Sequence, residues 1–297
     1  MQLRAWMGLA PLVLAPTLAL ASEPLELPLI VETGQRMQVN YVHTKRQNDE
    51  IRSADVRGQL HIIDADSDPA NMLVEWQTDS VRVDGIEIDA RSPQAADLMI
   101  GLPITYVASE ALEPTRIFDR ADLMQRIFNA EFFVGIDNAA RDQMRDFFAK
   151  MDDVSFAQIL LKVPGYIAIC HDTALIPGEP SEFETSFPSP VPGVTIKGTG
   201  RYLVEVDSAG QVTVQLSSTY DPDSIKDMAL EMMKQAGAEN MPSEEEIAQF
   251  KIDRTDITNC DVDRDTGWVQ RMTFASEIIS PAGEQGERYD VDIFRIN

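Results

Sequence analysis

Arg201–Met228 reads RYLVEVDSAGQVTVQLSSTYDPDSIKDM, and this stretch decides the fold class. Arg201 to Val206 and Val212 to Ser217 alternate apolar with polar residues, the period of half-buried antiparallel strands, about a turn at Ser208-Ala209-Gly210. Asp221 then caps a helix that carries Pro222 at its first position. Ile225, Met228, Met232 and Met233 give that helix one apolar stripe. A hairpin that runs straight into a capped helix belongs to an α+β architecture, not to a doubly wound parallel sheet.

Downstream, Ser243 with Glu246 forms a capping box for another short helix. Three closing strands follow over Lys251–Asp261, Trp268–Ile278 and Arg288–Ile296. Upstream the same order of elements recurs. Met37–Val42, Val56–Ile63, Met72–Trp76 and Ile86–Ile88 alternate as strands, and Ile104–Val107 with Thr115–Phe118 forms a hairpin around Glu113-Pro114. Helical spacing takes over at Met124, Ile127, Phe128 and Phe132, and again at Met144, Phe147, Phe148 and Met151. Between the flanks, residues 176–193 read IPGEPSEFETSFPSPVPG. Proline lacks the N–H of a central strand or helix, so this connector is extended loop or edge strand. The expected fold is therefore a curved antiparallel sheet, or sheets, covered by amphipathic helices. It comprises two similar halves, 22–175 and 194–297, that are free to share one sheet.

Residues 1–21 read as an export signal. Arg4 supplies the positive start, Ala5–Leu14 the short apolar run, and Ala19-Leu20-Ala21 the small-x-small cleavage site before Ser22. The run is too short, and too broken by Pro11 and Pro16, to span a bilayer. No later stretch has the length of a membrane helix, so no integral membrane segment is expected after cleavage. The expected location is periplasmic or extracellular.

Twenty-five basic residues face 49 acidic ones, a formal net charge of −24. Such a polyanion repels phosphate backbones and acidic headgroups, which excludes nucleic acid as a partner and leaves basic proteins allowed. Cys170 and Cys260 form an even pair in an oxidising compartment and are expected to be disulfide-bonded. Closing a loop of about 90 residues stabilises by roughly 4 kcal/mol in the chain-entropy model. A Cys170 nucleophile activated by His171 is the sharper alternative. It is set aside because neighbours on a strand point to opposite faces.

Motifs for chemistry are scarce. His43, His61 and His171 are the whole histidine supply, with no helical zinc spacing and no G-x-S-x-G. No catalytic residue is assigned and no cofactor is expected. Asp261, Asp263 and Asp265 have the alternate spacing of a calcium loop, but Gly267 misses the glycine position and Met272 stands where the closing glutamate belongs. Asp64, Asp66 and Asp68 repeat the pattern with Pro69 in place of glycine. Thr266-Gly267-Trp268 reads as a hairpin turn followed by a core or rim tryptophan. Lys197-Gly198-Thr199-Gly200 leads into a strand instead of a helix N-terminus, so it is no phosphate loop.

The export signal, the hairpins and the interposed Met/Phe helices together resemble the periplasmic lipoprotein-carrier superfamily. That resemblance implies a half-barrel covered by helices and an apolar ligand, a lipid or an acyl chain. The helix residues expected to line the ligand are Met124, Phe128, Phe132, Met144, Phe147 and Phe148. The other readings are a structural or interaction protein of the envelope and an envelope hydrolase.

Overall fold

A computed structural model describes residues 24–89, 99–129, 138–171, 174–188, 194–235, 252–280 and 283–296. In chain order the first flank contains β1 (Leu25–Glu26), β2 (Arg36–Gln47), β3 (Glu50–Asp64), β4 (Met72–Val83), β5 (Ile86–Glu87), β6 (Ile104–Ala108) and β7 (Pro114–Ile117). Four helices follow: α1 (Arg120–Asn129), α2 (Asn138–Lys150), α3 (Asp153–Leu160) and α4 (Lys162–Ala168). The rest comprises β8 (Ala174–Leu175), β9 (Ser181–Pro188), β10 (Thr195–Val206), β11 (Val212–Tyr220), α5 (Pro222–Gln235), β12 (Asp253–Val262), β13 (Val269–Ser280) and β14 (Gly283–Ile296). The expected leader, the Ser243/Glu246 box and Phe132 lie outside the described residues.

Twelve strands form one open, curved sheet in the order β7-β6-β4-β3-β2-β14-β13-β12-β11-β10-β9, with β5 paired to β4. All of its strand pairs are antiparallel. The fold is thus dominated by its sheet, and the α+β label describes it only coarsely. The C-terminal strand β14 pairs with β2 from Gln285↔Gln47 to Ile296↔Arg36, so a single sheet runs through both flanks. Part of the proline-rich connector is the edge strand β9, where missing N–H groups cost no ladder bond.

Three local expectations need correction. The β6–β7 turn is Ser109–Glu113, with Leu112 at φ 63°, while Pro114 already belongs to β7. Cys170 and His171 follow a helix and do not lie on a strand. Helices α3 and α4 have no counterpart in the sequence reading. Asp152 caps α3, accepting from the Ser155 N–H at 2.8 Å and from its hydroxyl at 2.7 Å. Pro164 sits in the first turn of α4, where its missing N–H has no helical partner to lose.

Cross-strand register divides the helix-facing side of the sheet into rows. One row runs Val204–Val214–Cys260–Met272–Val291–Tyr41–Val56–Val81, every member buried. The next, Tyr202–Leu216–Thr258–Phe274–Tyr289–His43, is mixed. The third, Ser218–Asp256–Ser276–Glu287, is wholly polar. Side chains on alternate positions share a face, so the inner surface grades from dry to polar along the strands.

The N-terminal segment is strapped across the dry end. β1 pairs with β8, Leu27 is buried in the main core, and the Ile30 N–H donates to the Thr266 carbonyl at 2.8 Å. Trp268 Nε1–H donates to the Ile30 carbonyl at 2.7 Å. Gly267 has φ 70°, and a Cβ there would collide with the backbone of Pro28 and Leu29. Gly267→Ala is therefore expected to cost about 2 kcal/mol through left-handed backbone strain, with further loss from strap undocking. Urea unfolding followed by tryptophan emission checks this, with a red shift expected at Trp268. Unchanged stability would show that the strap yields freely.

Candidate functional site

The polar row and its neighbours gather two charged clusters on the inner face. In the first, β14 presents Glu287 and Tyr289, and β2 presents His43. Glu287 accepts from His43 Nε2 at 2.8 Å and from the Tyr289 hydroxyl at 2.9 Å. Lys162, from the first turn of α4, stands 3.8 Å from the same carboxylate oxygen. Burial opposes ionisation of Glu287. The hydrogen bond from His43, the Lys162 charge and the Tyr289 hydroxyl outweigh it and pull the carboxyl down to about 2. His43 also stacks on Tyr289, with ring centroids 4.2 Å apart.

In the second cluster, Asp256 accepts from the Tyr220 hydroxyl at 2.5 Å and from Arg254 Nε and Nη2 at 3.1 and 2.8 Å. The guanidinium also lies 4.7 Å from the centre of the Tyr220 ring. Burial works against the charge on Arg254, but the Asp256 hydrogen bond and charge raise its pKa further. The pair is a two-pronged, charge-assisted contact on a half-dry floor, stronger than a surface ion pair. With strands about 4.8 Å apart, Asp256 and Glu287 lie about 10 Å from each other across β13.

Tyr166 of α4 fills the space between the clusters. Its ring stacks on Phe274 at 3.9 Å and lies 5.4 Å from Tyr289. Burial, then the charges of Glu287 and Asp256, raise its pKa against the opposing pull of Arg254, so the hydroxyl remains a donor. The arrangement presents ordered donors over anchored carboxylates. Apart from His43, one of the three histidines, the sequence singles out no residue of this constellation. The available signal was Arg254 and Asp256 in the same register as Thr258 and Cys260, a charged pair on the core-facing side of a strand.

Of the residues expected to line an apolar ligand, the structure joins three. Phe128 is buried and lies 6.5 Å from Phe148, which lies 5.7 Å from both Phe147 and Phe156. Met124 and Met144 are half-buried against the same core. Phe147 is 47 % exposed on the outer side of α2. Arg145 and Arg120 lie over the Phe128 and Phe156 rings at 5.0 and 4.4 Å.

Cys170 and Cys260 are bonded to each other. Asp261, Asp263 and Asp265 are not brought together as ligands. Asp261 faces Arg271 at 3.5 Å, and Asp263 accepts the N–H groups of Asp265 and Thr266 at 3.0 and 2.9 Å. Asp64 is likewise spent on Ser67 and on the Asp66 N–H, and Asp68 caps a 3-10 turn at Pro69–Asn71. Among the described residues no group of three His, Cys, Asp or Glu side chains is arranged to hold a metal, and no helix is long and apolar enough to cross a membrane.

No protein-family model matches the chain, and no curated protein sequence matches it. Among the solved structures that share a loose likeness with the chain are two of note. One, of lipovitellin and its lipid–protein interactions, is 8% identical, with 90% of this chain and 25% of that chain covered and a TM-score of 0.45. The other is described as an outer membrane lipoprotein-sorting protein domain from Vibrio parahaemolyticus. It is 8% identical, with 88% and 85% covered and a TM-score of 0.21. This chain spans a quarter of the lipovitellin chain's length. At these scores neither likeness carries an argument about function.

Proposed function

We propose that this protein is an exported binder of an apolar ligand, of the acyl-chain class, and not a catalyst. One observation carries the reading: the inner sheet face is covered by short helices that leave Met124, Met144, Phe148, Tyr166 and Tyr202 packed against the core yet only partly buried. A second sheet would have sealed such a face, whereas short helices with flexible methionines open and repack cheaply. The leader at 1–21 and the disulfide support an envelope setting.

The test is native mass spectrometry of protein purified without detergent from its own exporting cell. A stoichiometric acyl adduct is the expected result. Met144→Gln is expected to weaken a fluorescent fatty acid about tenfold, the effect of about 1.4 kcal/mol of lost apolar contact. A clean spectrum together with no fatty-acid binding by the oxidised, folded protein would overturn the reading.

A further inference from the structure

We propose that Lys162, Tyr166 and Arg254 form an anion site that receives the charged head of an acidic amphiphile; this rests on the acyl-binding reading above. In both clusters the cation is the more accessible partner. The Lys162 side chain is 49% exposed against 23% for Glu287, and Arg254 is 32% exposed against 10% for Asp256. The carboxylates form the floor, and the cations stand between that floor and solvent.

The floor is already occupied. Glu287 is engaged by His43 and Tyr289, and Asp256 by Tyr220 and two nitrogens of Arg254. Neither carboxylate is placed to greet an ammonium. The donors are different. Lys162 stands 3.8 Å from Glu287, an ion-pair distance beyond a normal hydrogen bond, so its ammonium protons can turn to a ligand. Arg254 engages Asp256 through Nε and Nη2, which leaves Nη1 for a second acceptor. Tyr166 lies one helical turn after Lys162, on the same face of α4, with its ring fixed on Phe274. An ammonium, a hydroxyl and a guanidinium thus border the gap between the clusters.

Apolar surface borders the site. Arg254 stands opposite Ile278 across the β12–β13 ladder, and Tyr220 packs with Ile225 and Met228 of α5. A chain of net charge −24 does not concentrate small anions, so an anion that binds here needs an apolar body as well. A carboxylate or phosphate on an acyl chain satisfies both conditions.

The experiment compares hexadecanoic acid, hexadecanol and inorganic phosphate on full-length oxidised protein at neutral pH, in wild type, Lys162→Ala, Lys162→Arg and Tyr166→Phe. Lys162 and Tyr166 are chosen because removing either leaves both carboxylates paired. The acid is expected to bind about tenfold more tightly than the alcohol, with Lys162→Ala erasing most of that preference without changing the alcohol and Tyr166→Phe lowering the ratio of acid to alcohol affinity. Lys162→Arg is expected to restore the preference. Acid and alcohol binding alike, or both falling together in the variants, would overturn the head site while leaving the acyl reading intact. Failure of both ligands to bind would overturn both proposals. Phosphate binding as tightly as the acid, dependent on Lys162, would make this a small-anion site and overturn the amphiphile assignment.

Discussion

Cys170→Ala with Cys260→Ala is expected to lower the free energy of unfolding by about 4 kcal/mol, the chain-entropy contribution of closing a loop of this size. The bridged residues are 90 apart in sequence, and their Cα atoms are 6.3 Å apart in the fold. Cys260 sits in the driest row of the sheet, between Val214 and Met272, and Cys170 ends the helical cover just after α4. The bridge therefore holds the helices on the inner face of the sheet, besides restricting the unfolded chain. Both sulfurs are buried, so alanine also leaves small voids and serine would leave hydroxyls without partners. Against a typical domain stability of about 5–15 kcal/mol, such a loss is large. Urea unfolding of the variant should show a lower midpoint and a steeper dependence on denaturant, because the uncrosslinked unfolded state exposes more surface. A loss below about 1 kcal/mol would mean that the cover is held by packing alone.

The strands were legible because one face of each is dry and the other wet. Val212, Val214 and the residues between them carry that alternation in plain view, and so do Met37, Val39 and Tyr41. The disulfide was legible from parity and compartment. The cover was not. α3 and α4 lie in VSFAQILLKVPGYIAI, where apolar residues are almost continuous and Pro164-Gly165 looks like a break. A nearly all-apolar helix has no period to detect, and proline in the first turn does no harm.

The polar site was hidden for a different reason. His43, Lys162, Tyr166, Arg254, Asp256 and Glu287 come from three strands and one helix far apart in sequence, brought together by strand register and by the docking of α4 on the sheet. Each alone is an ordinary charged or aromatic residue in a chain with 49 acids. Alternation does place Asp256 on the face of Thr258 and Cys260, and Glu287 on that of Tyr289 and Val291. Charged residues on a core-facing register are costly unless paired, and that cost was the one readable sign of a site.

Acidification from pH 7 to about 5 should destabilise the fold through His171. This side chain is 4% exposed beside the disulfide. Its Nδ1–H donates to the Ala111 carbonyl at 3.1 Å, and Nε2 has no partner among the described residues. The ring meets the edge of Trp268 at 5.6 Å. Burial, opposed by the Ala111 bond, pushes its pKa from 6.5 down to about 4. The unfolded chain therefore binds a proton between those values that the folded chain refuses. Stability is complete above pH 6.5 and falls as pH drops through the interval, by about 3 kcal/mol in all and by about 2 kcal/mol by about pH 5. The depressed Glu287 acts in a separate window, since its contribution is lost only as pH falls from the usual glutamate range toward about 2. Urea unfolding at a series of pH values resolves the two. His171→Phe keeps an aromatic ring in the site but cannot be protonated. It gives up the Ala111 bond at every pH, costing about 1–3 kcal/mol. Its stability should nevertheless be flat from about pH 7 to 5, where the wild type declines. A variant whose profile is as steep as the wild type's would assign the acid sensitivity to other groups and leave His171 as packing alone.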